Sequence, residues 1–202
     1  MDWGGLLRTV VGAGLGTAAV QALIPIFRDM YQRRRDAAYL ALRLAVALES
    51  YAAACADLLN ENDNSIGKAR AYLEEPDLNP RLPPPPPYPD DQNGWRAIPS
   101  DLASRCLGFP NKICWSQAQI GFCIENYPVD LPRVIDKEAS ERGLEAWTLA
   151  VELRRTYHLE LADPGWGLPE ALAAAQQKAI QADIEQRAQS TDFLGDMTDR
   201  SA

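Results

Sequence analysis

The chain has 202 residues, a formal net charge of −8 and 47% hydrophobic residues. That length allows one domain with an appendage or two small domains, and the composition excludes global disorder. The acidic total argues against nucleic acid as a partner of the chain as a whole, because phosphate neutralisation needs clustered Lys and Arg.

The charge is unevenly distributed. Residues 1–35 carry five arginines against two aspartates, a net +3, which leaves −11 on the rest. Within this leader, Thr9 to Phe27 is a run of 19 residues without a charge, the length a helix needs to span a hydrocarbon core. Its eight strongly apolar residues contribute about −2 to −5 kcal/mol to insertion, opposed by Gln21, Pro25 and three glycines. Arg28, Arg33, Arg34 and Arg35 follow the run, and no small-residue cleavage site does. A secretory signal would carry its charge before the run, so the segment reads as an uncleaved anchor. The positive-inside rule then puts the N-terminus outside and the C-terminal body in the cytoplasm. Gly12 and Gly16 form a GxxxG pair, a spacing that lets two membrane helices approach closely. Gly12-Ala13-Gly14-Leu15-Gly16-Thr17 also approaches a dinucleotide-binding turn. The third glycine is replaced by Thr17, and no second strand follows, so that reading fails on context.

Residues 36–60 predict a long helix, continuous with the anchor and rich in Ala and Leu. Asp36, Arg43, Ser50 and Asp57 recur every seven residues, with Glu49 beside them, so the polar stripe is narrow. That is the pattern of a central bundle helix. Asn60–Asn64 predicts its end, because these side chains compete for backbone hydrogen bonds, with a short helical piece over Ile66–Leu73. Nine of the fifteen prolines lie between Pro76 and Pro99, five of them consecutive from Pro83 to Pro87. Polyproline II suits that run, which makes a stiff connector. Ser100 reads as the N-cap of a helix with an apolar face of Leu102, Ala103, Cys106 and Leu107. Pro110 predicts an interruption before a second stretch from Asn111 to Glu125. A further helix is expected over Val134–Leu159, faced by Ala146, Ala150, Leu153 and Tyr157. The last starts near Leu168, with Pro169 in its first turn and a stripe of Leu172, Ala175, Ala179, Ile180 and Ile184. No segment alternates as a strand does. The fold class is therefore all-α: an N-terminal transmembrane helix continuing into a roughly four-helix bundle with a Pro-rich connector. Residues 1–35 form the anchor and basic boundary, 36–190 the bundle with 76–99 as connector, and 191–202 a flexible tail.

Chemistry-bearing residues are sparse. Cys55, Cys106, Cys114 and Cys123 form no C-x-x-C pair, and His158 is the single histidine. No zinc spacing or hydrolase motif results, and buried cysteines in a reducing cytoplasm are the simpler reading. In an extracytoplasmic body they would allow two disulfides. His158 reads as a helix C-terminal cation beside Arg154 and Arg155. Asp57, Glu61 and Asp63 read as a solvated acidic helix end, without the EF-hand pattern. Arg81–Pro87 satisfies R-x-x-P-x-x-P and Pro85–Tyr88 satisfies P-P-x-Y, but any five prolines meet such patterns cheaply, and a rigid connector is preferred. Arg43, Glu49 and Asp57 are the only polar groups on the central helix from which an enzyme site could be built, and a salt-bridge network explains them as well.

The run Tyr39-Leu-Ala-Leu-Arg-Leu-Ala-Val-Ala-Leu-Glu-Ser-Tyr-Ala-Ala-Ala-Cys-Ala-Asp57 resembles uncharacterised proteobacterial proteins. These join an N-terminal anchor and an Arg-rich boundary to such a helix. Tyr88-Pro89-Asp90-Asp91, Trp95 and the Ala146-Trp147…Leu153-Arg154…Tyr157 stretch are similar too. The resemblance implies topology at a bacterial inner membrane and no activity. The sequence thus predicts a membrane-anchored binding or scaffold protein with no cofactor, metal or catalytic residue. Its partners would be the lipid bilayer and a protein partner or second copy reached through the N-terminal helix. The alternative is a soluble or virion-type subunit of a larger assembly, its apolar leader packed on other chains.

Overall fold

The computed structural model describes residues 3–164 and 167–199, with side chains described for residues 28, 30–164 and 167–185. Five α-helices follow one another: α1 (Trp3–Tyr72), α2 (Gln92–Ala97), α3 (Ser100–Asn126), α4 (Leu131–Thr156) and α5 (Leu168–Asp199). A 3-10 turn over Pro128–Asp130 joins α3 to α4. No strand occurs among the described residues. The all-α bundle expected from the sequence is the fold.

The 70 residues of α1 make a rod of about 105 Å at 1.5 Å per residue. Among the described side chains of α1, burial starts at Ala37 and recurs at Leu40, Leu44, Leu48, Tyr51, Cys55 and Leu58, steps of three or four residues that turn one face to the core. Arg43, Ser50 and Asp57 lie on the exposed side, as their seven-residue spacing requires. α1 is long and apolar enough over Met30–Tyr72 to cross a membrane, yet 44% of its apolar window there is buried within the bundle. That stretch packs as a core helix.

Asn60–Asn64 does not end α1, contrary to the sequence expectation. Asn62 is buried and spends its amide on another segment. Its Nδ2 donates to the Asn79 carbonyl at 3.2 Å, and its Oδ1 accepts from the Asn79 amide at 2.8 Å. The side chain therefore stops competing with its own helix. α1 ends instead at Leu73, in the left-handed region at φ 57°, with the Glu74 amide reaching back to the Ala69 carbonyl at 3.0 Å. That is a Schellman closure built without glycine.

The proline-rich segment is a leg of the bundle. It climbs beside α1 from the level of Asn62 to that of Leu40, where Gly94 is pressed against the Leu40 side chain. Pro80, Pro83, Pro86 and Pro89 face inward to differing degrees while Arg81, Pro84 and Pro87 are exposed, a recurrence of three residues that matches the period of a polyproline II helix. Such a backbone has no hydrogen bonds of its own. Gln117 on α3 supplies two, accepting from the Leu82 amide at 2.8 Å and donating to the Pro80 carbonyl at 3.1 Å. Trp95 Nε1 donates to the Pro89 carbonyl at 3.1 Å.

α3 runs unbroken through Pro110, which corrects the expected interruption. Its inward residues Leu102, Cys106, Phe109, Ile113, Ser116, Ile120 and Cys123 keep a four–three alternation across the proline. Burying Phe109, edge-on to Tyr51 at 5.4 Å, favours continuity over the lost backbone hydrogen bond. Ser100 is the first helical residue rather than the cap, which is Pro99. Leu107 lies outside the face assigned to it, and so do Ile180 and Ile184 on α5. α4 begins at Leu131, earlier than expected, with Pro132 in its first turn, where a missing amide costs least. α4 is the hub, packing against α1, α3 and α5. The legs alternate in direction: α1 down, the proline segment up, α3 down, α4 up, α5 down.

Candidate functional site

The upper end of the bundle is where α1 leaves it. Arg28, Arg33, Arg34 and Arg35 are all exposed there, with Met30 and Tyr31 among them. Tyr39, one turn below, lies under the Arg43 guanidinium at 5.8 Å. α2, which the sequence reading missed, is fixed at this level by Asp91. The Asp91 Oδ1 accepts from the Gly94 amide at 3.0 Å and so caps the helix. A Cβ at Gly94 would meet Leu40 at 2.9 Å, so only glycine lets α2 lie this close to α1. The close approach brings Asn93, Arg96 and Ala97 opposite Gln32, Arg33 and Asp36, and these six residues line one cleft. It holds two guanidiniums and two amides against one carboxylate. Asp36 accepts from Gln32 Nε2 at 3.1 Å through its Oδ1.

Gly12 and Gly16, and the whole uncharged run from Thr9 to Phe27, belong to the α1 backbone. Their side chains lie outside the described residues, as do those of the tail expected over 191–202.

The lower end carries a second cleft of about 250 Å³ between α1, α4 and α5, where Asp63, Asp136 and Lys178 meet. Lys178 lies 3.8 Å from Asp63. Burial, reinforced by Asp63 and opposed by Lys178, pushes the Asp136 carboxyl up to about 6. Alongside, Asp183 accepts from Lys137 at 3.1 Å and pairs with Arg133. Asp57, Glu61 and Asp63 do not converge: Asp57 is exposed, Glu61 faces Asn79 at 3.5 Å, and Asp63 faces Lys178. Among the described residues, no three His, Cys, Asp or Glu side chains are grouped to hold a metal ion.

The other reactive groups are spent on packing. Glu49 turns inward and takes Arg154 through both oxygens, at 2.5 and 2.8 Å, while Arg154 Nη1 donates to the Glu160 carbonyl at 2.6 Å. Arg43 and Asp57 stay exposed, so the three polar groups of the central helix are not brought together. All four cysteines are free, and only Cys114 is exposed. Burial raises the Cys55 thiol to about 12 and the Cys106 thiol to about 11, which leaves both protonated and inert. His158 does not cap α4 with its side chain; its backbone, at φ 54°, closes the helix, and the Leu159 amide reaches the Arg154 carbonyl at 2.8 Å. The P-P-x-Y pattern is used internally, since Pro86 is buried and Tyr88 packs on Trp95 at 5.9 Å. The R-x-x-P-x-x-P ridge is exposed on one side only, whereas grooves that read such ridges also grip the intervening residues.

No protein-family model matches this chain, and no curated protein or solved structure is similar to it.

Arg96, Asn93 and Lys178 went unnoticed in the sequence, and Asp136 reads there only as an acidic residue suited to a helix N-terminus. Arg96 sits in a six-residue helix too short to show a period. Asp136 and Lys178 are brought together only by the packing of α4 on α5.

Proposed function

We propose that the chain is a single-pass, membrane-anchored helical binding or scaffold protein. Its acidic body would be held at the inner surface of a bacterial cytoplasmic membrane, with the N-terminus outside. One observation carries the reading. α1 is unbroken from Trp3 to Tyr72, so the uncharged run and the core helix are one rod, and the exposed arginines sit where that rod leaves the bundle. Exposed arginines directly after an uncharged 19-residue run are what a cytoplasmic boundary requires. The function is then localisation, with the bundle presenting a surface to a partner. Expression of the full chain followed by membrane fractionation before and after an alkaline wash tests it. Retention in the washed membrane is expected, and recovery in the soluble fraction would overturn the anchor.

The second reading is an assembly subunit without a membrane. The outward face of α3 favours it, because Leu107, Trp115 and Phe122 are exposed on one side, with Trp115 at 68%. Deleting residues 1–35 separates the two: a soluble monomer supports the anchor, and loss of a defined oligomer supports the assembly.

A further inference from the structure

We propose that the outward face of α3 is a contact between two copies of this chain standing side by side in one membrane. The inference rests on the membrane reading above, and it gives an occupant to the exposed face that otherwise favours a soluble assembly.

The face is built as a seam. Leu107, Asn111, Trp115, Ala118 and Phe122 are all exposed and follow one another in steps of four or three residues, so they form one stripe along α3. Charge selects the occupant. In a chain that is 24% charged, every exposed residue from Leu107 to Phe122 is uncharged. Lys112, the one charged residue in that stretch, turns aside to Glu145 on α4, and Arg105 just before it pairs with Glu152. Anchors in one bilayer give two copies the same orientation, and α3 runs in the same sense as the α1 rod. A two-fold axis between the copies then lies along α3, and each residue of the stripe meets its own counterpart. Any charge there would face itself, so a stripe that pairs in this way has to be neutral. Asn111 fixes the direction. Its amide carries donor and acceptor together and can pair with a copy of itself, as a single Asn does in the seam of a parallel coiled coil. Turned head to tail so that Leu107 meets Phe122, the stripe would set Asn111 against Ala118 and leave the amide without that partner. Size agrees with a membrane setting. The stripe is about 24 Å long and one helix wide, short of the roughly 800 Å² per partner of a stable interface. Such a contact is weak between freely diffusing molecules, and confinement to a bilayer supplies the missing local concentration and alignment.

Crosslinking of the full chain in phosphatidylcholine vesicles with a short bismaleimide tests the contact. Cys114 lies beside the stripe and is the only exposed cysteine of the four, so the reagent reports this face. A crosslinked dimer is expected. Trp115→Glu should lower its yield about fivefold or more, as loss of an aromatic residue at the centre of a contact does, and Trp115→Phe should keep it. Ile180→Glu, at an exposed apolar position on α5, should leave it unchanged. In a Cys114→Ser background, Asn111→Cys and Ala118→Cys should each form a disulfide with their own counterpart under mild oxidation, which only copies running in the same direction allow. Absence of the dimer, or an equal loss for Trp115→Glu and Ile180→Glu, would overturn the contact. Crosslinking at Cys114 with a disulfide at neither Asn111→Cys nor Ala118→Cys would make the pair antiparallel and overturn it as well. A chain that resists the alkaline wash yet gives monomer alone overturns this contact and spares the anchor, whereas release by the wash overturns the anchor on which the contact rests.

Discussion

The two ends of the bundle treat charge in opposite ways. At the lower end Asp63, Asp136 and Asp183 are set against Lys178, Arg133 and Lys137, so the charges are largely matched within the fold. At the upper end two guanidiniums share a cleft with one carboxylate, and Arg28, Arg34, Arg35 and Arg96 stand in solvent. Matched charges serve packing, and their loss is felt in stability. An excess of one sign contributes little to stability and is available to something outside the chain.

Mutations should widen that contrast. The largest effect is expected between the two ends, at the buried Glu49–Arg154 pair, whose side chains are 15% and 11% exposed. Arg154→Met leaves the Glu49 carboxylate buried without its partner and should cost about 3 kcal/mol in urea unfolding. At the lower end, Asp183→Asn removes the shared partner of Arg133 and Lys137 and should cost about 1–2 kcal/mol by the same measurement.

Asp136 works in the other direction. Its carboxyl is raised to about 6 in the fold, so the native state holds a proton that the unfolded chain releases near pH 4. Its contribution is fully present at low pH and is lost as pH rises from about 4 through 6. Asp136→Asn should therefore stabilise the protein at pH 7 by an amount of order 1 kcal/mol, discounted for partial exposure. The gain should vanish below pH 4 in thermal melts taken across that range. The smallest stability effect belongs to the upper end. Arg34→Gln with Arg35→Gln should change unfolding by less than about 0.5 kcal/mol. The same pair should disturb orientation in a protease-accessibility assay on sealed vesicles. A large loss of stability there would end the contrast.

The sequence carried the fold where a pattern was local and repeated. The seven-residue recurrence of Arg43, Ser50 and Asp57 marks the outer edge of α1, and Leu168-Pro169 marks the start of α5. It misled where a distant partner reversed a local rule. Asn62 reads as a helix breaker until Asn79 takes its amide, and Pro110 reads as a stop until Phe109 and Ile113 are both buried against the core. The arginines of the site were visible as a run, Arg33-Arg34-Arg35. Arg96 was hidden because its place depends on Gly94 fitting against Leu40, which lies 54 positions earlier in the chain.

The unbroken α1 has a mechanical consequence. From Arg28 to Ile66 the helix contains neither glycine nor proline, so nothing in that stretch acts as a swivel. Torsion applied near the arginines is transmitted to the core without slack. Inserting one residue between Arg28 and Arg35 would lengthen the rod by only about 1.5 Å but turn the whole bundle by about 100° around its axis. The spacing between the uncharged run and Ala37 thus works as an angular setting. With the proposed anchor held in a membrane, it would set which side of α3 faces a partner, and in an insertion series the binding of that partner should weaken and recover with the helical period.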